Sequence, residues 1–130
     1  MIGLFNQLNA QGSVIRTAVQ GKALRNEIIT NNIANADTPG FRAKRVDFED
    51  SLAQAIGNYP LPSNRIVDLS GVTKTVALRD HDTFFRLDGN NVDIEREMVM
   101  LYQNSMKYET LISSLIVNSG RLSTIFQGGR

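Results

Sequence analysis

No cysteine occurs among the 130 residues, which removes disulfides, thiol catalysis and cysteine-built metal sites together. Histidine occurs once, as His81 between Asp80 and Asp82, with no nucleophile placed to work with it. A solvated loop histidine therefore outweighs a hydrolytic relay. Neither sign of charge dominates: 14 Lys and Arg against 13 Asp and Glu leave +1, and the longest basic run is Lys44-Arg45. That balance carries no footprint of nucleic acid or an anionic membrane. No apolar run is long enough to span a bilayer. The opening MIGLFNQLNAQGSV lacks a basic n-region, a sustained apolar stretch and a cleavage site, so conventional secretion is not the route written here.

Chemistry-bearing patterns are equally scarce. There is no phosphate loop, dinucleotide fingerprint or zinc spacing, so no cofactor, metal, small-molecule substrate or catalytic residue is expected. Asp88-Gly89-Asn90-Asn91-Val92-Asp93 begins like a calcium loop, but Gly89 is misplaced and Val92 stands where an oxygen ligand is needed. The carboxylates Asp47, Glu49 and Asp50 are expected to cap and solvate a helix start.

What the chain does have is apolar periodicity at both ends. The 42% hydrophobic content is enough for one domain with a core. Alternating steps of four and three from Met1 reach Phe5, Leu8, Gly12, Ile15, Val19, Lys22, Asn26, Ile29, Ile33 and Ala36, interrupted at Lys22 and Asn26. Ser13 is a plausible cap, so a helix is expected from about 13 to 36 with the first dozen residues frayed. From Ile94 the same step reaches Met98, Leu101, Ser105, Tyr108, Ile112, Leu115, Ser119, Leu122 and Phe126. Leu111, Ile116 and Ile125 widen that face, Asp93 is a good N-cap, and Gly128-Gly129 closes the run.

Length decides the shape. A helix over 94–126 would be roughly 50 Å long at 1.5 Å per residue, whereas a compact chain of this size fills a sphere about 36 Å across. The expected fold is mainly α: an elongated, coiled-coil-like antiparallel pair of long N- and C-terminal helices, with a turn, a short helix and a loop or small β insertion between them. The expected parts are an N-terminal assembly helix at 1–36, a turn, extended segment and short helix at 37–57, an insertion at 58–92, and a C-terminal assembly helix at 93–130. One partner helix shields only one side of a broad apolar face, so the remainder predicts association with other chains.

Between the seams lies a corner. Thr38 precedes proline, Pro39 cannot continue a helix, and Pro39-Gly40 suits the centre of a type II turn. Asn31, Asn32 and Asn35 share one side of the helix end, where they either cap it or bond a neighbouring chain; spacing leaves both readings open. Arg42 to Asp47 is polar and extended, and Asp47 is a candidate cap for a short helix whose apolar face is Phe48, Leu52, Ala55 and Ile56. Val72 to Leu78 alternates as a strand would.

The run Asn31-Asn32-Ile33-Ala34-Asn35-Ala36-Asp37-Thr38-Pro39-Gly40-Phe41 resembles the N-terminal signature of the bacterial flagellar rod, hook and hook-associated proteins. Arg86 to Met98, RLDGNNVDIEREM, resembles the start of the C-terminal helix in proximal rod members of the flagellar basal-body rod family. Ala36-Asp37 separates the chain from relatives with other residues there. The resemblance implies a structural, non-enzymatic axial subunit of the proximal rod, exported by the flagellar type III apparatus without a cleaved signal into the periplasmic part of the basal body. It implies copies of itself, other rod proteins, a rod adaptor protein, the export gate and the inner-membrane ring as partners. Asn31, Asn32, Ile33, Ala34, Asn35, Thr38, Pro39, Gly40 and Phe41 are thereby assigned to packing between subunits. Leu87, Asn90, Asn91, Val92, Asp93, Glu97 and Met98 would place the C-terminal helix, and Leu101, Tyr108, Ile112, Leu115, Leu122 and Phe126 would form the assembly seam. A soluble coiled-coil adaptor or export chaperone for flagellar proteins is the alternative.

Overall fold

A computed structural model describes residues 2–57, the main chain of 77–80, and residues 86–128. Two long helices dominate it: α1 spans Ile2–Ala34 and α3 spans Ile94–Gly128. Between them come strand β1 at Lys44–Asp47, helix α2 at Glu49–Gly57 and strand β2 at Ala77–Asp80. The mainly helical architecture follows the sequence pattern, but α1 is helical from Ile2, well before the start expected at Ser13. Ser13 instead turns its hydroxyl back to the Ala10 carbonyl at 2.7 Å, a bond open to serine inside a helix.

Three polar links fix the helix pair as antiparallel. Glu97 meets Asn32, Asn104 reaches the Lys22 carbonyl, and Asn118 reaches the Leu8 carbonyl, so rising numbers on α3 meet falling numbers on α1. At the open end the Phe5 and Phe126 rings meet edge to face, with centroids 5.5 Å apart.

The chain leaves α1 through the predicted turn. Thr38 accepts a hydrogen bond from the Phe41 N–H at 3.2 Å, and Gly40 has φ +73°, which is the positive φ a type II turn demands at its third position. β1 then pairs antiparallel with β2, Lys44 opposite Asp80 and Asp47 opposite Ala77. Of the insertion expected at 58–92, residues 58–76 and 81–85, with His81 and most of the strand expected over 72–78, lie outside the described residues.

α2 begins after Phe48, whose carbonyl accepts from the Leu52 N–H at 2.9 Å; Phe48 and not Asp47 holds the cap position. Packing overrides capping chemistry at this point. The Phe48 side chain is buried and lies on Gly21 of α1, where a Cβ would come within 2.5 Å of the ring. Lys22 and Arg25 stand about the same ring, 5.3 and 5.2 Å from its centre. Both also bind Glu49, Lys22 at 2.8 Å.

Burial works to raise the Glu49 carboxyl, but the hydrogen bonds from Arg25 and Lys22 outweigh it and hold the group at about 2, below its ordinary 4.5. A depressed carboxyl stabilises the fold above its unfolded value and loses that contribution as pH falls through the folded one. Acidification from 4.5 towards 2 is therefore expected to loosen α2 from α1. The Glu49 side chain is about half exposed, so the effect is modest and is weakened by salt. Amide exchange across α2, compared between the parent and Glu49→Gln, checks this; the variant should lose the pH dependence.

Candidate assembly surface

The corner that carries the asparagine motif is closed by side chains reaching backbone. Asn32 is fully buried; its amide donates to the Lys44 carbonyl at 2.9 Å and to Glu97 Oε2 at 3.1 Å, while its Oδ1 accepts from the Lys44 N–H at 2.9 Å. Asn90 is equally buried and donates to the Asn35 and Thr38 carbonyls at 3.0 and 2.8 Å. Its Oδ1 accepts from the Val92 N–H at 2.7 Å. Asn91 Oδ1 takes the Ala43 N–H at 2.6 Å, and the Asp88 carbonyl takes the Gly40 N–H at 2.8 Å. Ala36, Ala43 and Val92 form the small apolar centre of this knot, with Phe41 against it.

The two motifs that stand about fifty residues apart in sequence are thus one structural unit. The three motif asparagines divide: Asn32 faces inward with both ends of its amide used, whereas Asn31 is exposed and Asn35 bonds back to the Asn31 carbonyl at 2.8 Å. A contact with a neighbouring chain through the Asn32 amide is replaced by bonds within the chain. Ile33 is half-buried, and Ala34, Thr38, Pro39 and Gly40 are exposed around the turn. Of the second block, Asn90, Asn91, Val92 and Glu97 are buried, Asp93 caps α3 by accepting from the Arg96 N–H at 3.2 Å, and Leu87 and Met98 are exposed.

The resemblance put Glu97 among the residues that place the C-terminal helix, without saying what it binds. In the structure it is 1% exposed, paired with Arg45 of β1 at 2.5 Å and bonded by Asn32. Helix end, strand and corner meet on that one carboxylate.

The line of α3 that packs on α1 is offset from the expected seam. The line of α3 that meets α1 runs through Glu97, Asn104 and Asn118, all buried, with Leu101, Tyr108, Leu111, Leu115, Leu122 and Ile125 half-buried along it. Of the expected seam, Leu101, Tyr108, Ile112, Leu115 and Leu122 are half-buried in the chain itself, while Phe126 is 67% exposed beyond its contact with Phe5. Counting apolar residues centres the stripe one position away because two asparagines occupy the inner line. The outer face of α3 carries a separate apolar row: Ile94, Met98, Val99, Tyr102 and Met106, then Ile116 and Val117. Tyr102 and Met106 are 67% and 62% exposed. Successive spacings of four place Met98, Tyr102 and Met106 on one side of the helix.

Among the described residues no cluster of three or more His, Cys, Asp or Glu can hold a metal, and no helix is long and apolar enough to cross a membrane. The most evident feature is an unshielded helical face.

The family described as flagella basal body rod protein matches residues 15–42, which cover the second half of α1 and the turn. The flagellar basal body rod protein FlgB of Bacillus subtilis is 33% identical over 119 residues, spanning 89% of this chain and 92% of that protein. The chain belongs to the flagellar basal body rod protein family. FlgB of Yersinia enterocolitica is 36% identical over 127 residues, covering 85% of this chain and 90% of the relative. FlgB of Borrelia hermsii is 38% identical over 98 residues, covering 66% and 73%. Coverage of this extent takes in α3 as well as the matched segment, so rod-family membership concerns the helix pair as a whole.

Proposed function

We propose that this chain is a structural subunit of the rod of the bacterial flagellar basal body, and that it packs against neighbouring subunits through the outer face of α3. The observation that carries the reading is the exposed row from Ile94 to Met106, on a helix whose other side is already committed to α1. Apolar side chains repeated along an exposed helix are covered on assembly, and a contact between unlike faces extends into a helical array. Rod-family relatives over most of the chain support the structural role.

Within this reading the subunit belongs to the proximal rod. It meets copies of itself, other rod proteins and a rod adaptor, near the export gate and inner-membrane ring. It arrives by the flagellar type III route, and it has no enzymatic activity. The exposed motif residues Ala34, Thr38, Pro39 and Gly40 are the part of the corner available to neighbours.

Tyr102→Asp with Met106→Asp is the test. Both side chains are solvent-facing, so the stability of the isolated protein should change by no more than about 0.5 kcal/mol per site. Motility in soft agar should be lost, and basal bodies stripped of membrane should lack the protein. Ile112 and Leu115 are less suitable, since a charge at either half-buried position would also attack the packing of α3. Normal swimming by a strain carrying the double variant would sink the proposal. Recovery of the parent protein in the soluble fraction alone, never in stripped basal bodies, would favour a soluble adaptor.

A further inference from the structure

α3 offers two apolar lines, and a helix pair held by apolar contacts alone can roll or slide between them. Its inner line carries polar residues at 97, 104 and 118, separated by seven and fourteen residues, which is a heptad repeat of one position. Each is at least nine-tenths buried and each is answered on α1. Asn104 donates to the Lys22 carbonyl at 2.8 Å and to Asn26 Oδ1 at 2.7 Å. Asn118 donates to the Leu8 carbonyl at 3.1 Å beside Gly12, where a Cβ would stand 2.8 Å from the amide nitrogen. Asn104 Oδ1 has no hydrogen-bond partner among the described residues, so this residue is not placed for maximal stability.

We infer that Asn104 and Asn118 are specificity-determining residues: they select which face of α3 turns towards α1, and at which register, and so reserve the row through Met98, Tyr102 and Met106 for other chains. The physical basis is asymmetric. In register each amide finds an acceptor and, at Asn118, a helix surface cleared by glycine. Rolled or slid, the same amides would be buried against side chains without acceptors, a penalty that apolar residues would not impose. A buried asparagine in a helical pair thus lowers stability while excluding alternatives.

The absence of cysteine allows a direct test, because two introduced cysteines are the only labelling sites. Spin labels at the exposed positions Gln20 on α1 and Thr110 on α3 of the full chain should report one narrow distance in the parent. Replacing Asn26 and Asn104 together by leucine, with Asn118→Ala, should preserve helix content and raise or keep the melting temperature. It should also add a second distance population, since a one-heptad slip moves one helix about 10 Å along the other. A single unshifted distance in that variant would overturn the inference. If the triple variant does not fold, Asn118→Ala alone serves, with Gly12 and the other asparagines intact. A broadened distance supports register selection, and an unchanged distance with a lowered melting temperature overturns it in favour of a merely stabilising hydrogen bond.

Discussion

Arg45→Ala is expected to destabilise the protein by about 3–5 kcal/mol, the cost of leaving a buried charge without its partner. Glu97 is almost fully enclosed, and Arg45 itself is only 19% exposed on its side chain, so little water reaches the pair. With Arg45 removed, the carboxylate keeps one neutral side-chain donor among the described residues, the Asn32 amide at 3.1 Å. Urea unfolding of the purified chain measures the loss. The same reasoning makes the pair's net worth much smaller than either deletion suggests, because burying both charges has a desolvation cost of its own. Arg45→Met with Glu97→Met should therefore unfold at a higher urea concentration than Arg45→Ala alone. If the single variant lost less than about 1 kcal/mol, the site would behave like a surface ion pair.

The second large effect is expected at Asn90. Alanine there removes two part-buried bonds to the Asn35 and Thr38 carbonyls and one buried bond from the Val92 N–H. The buried Val92 N–H is left without that acceptor, which costs about 1–3 kcal/mol, whereas the Asn35 and Thr38 carbonyls still accept from the Thr38 and Phe41 N–H groups, so the total is expected near 2–3 kcal/mol. Asn90→Asp should be no better than alanine: it retains the acceptor for Val92 but points a carboxylate oxygen at two carbonyls. Asn31→Ala is the matching control, exposed and expected to stay within about 0.5 kcal/mol. Denaturation midpoints of the three variants test this order; equal losses at Asn31 and Asn90 would contradict the division of the asparagines.

These two sites show where reading the sequence succeeds and where it stops. The helix pair and its antiparallel arrangement were legible because periodicity and length are local properties. So was the Thr38-Pro39-Gly40 turn, whose backbone requirements belong to three adjacent residues. Glu97 was legible, through the resemblance, only as one of the residues at the start of the C-terminal helix. Its partners Asn32 and Arg45 lie 65 and 52 residues away, and no spacing rule connects them. The inner line of α3 was displaced for a related reason: asparagine at a buried heptad position scores as a gap until the carbonyl that accepts from it is known. Phe48 on Gly21 is another long-range fit, in which a glycine inside α1 makes room for a ring.

Of the candidate surface, the sequence signalled an excess of apolar helix face but not which residues form it. Tyr102 and Met106 escaped notice because they fall outside the four-three step, yet they are more exposed than most residues that lie on it.

The clamped corner and the antiparallel pair have a consequence for size. α2 and β2 are anchored on the flank of the bundle, α2 by Phe48 and Glu49 against α1 and β2 by its pairing with β1. The connection from Gly57 to Ala77 therefore starts and finishes on fixed supports. Each doubling of such a connection adds only about 0.6 kcal/mol of closure entropy. Longer segments can therefore be carried between those supports while α1 and α3 keep their register, because the cost grows only slowly with length.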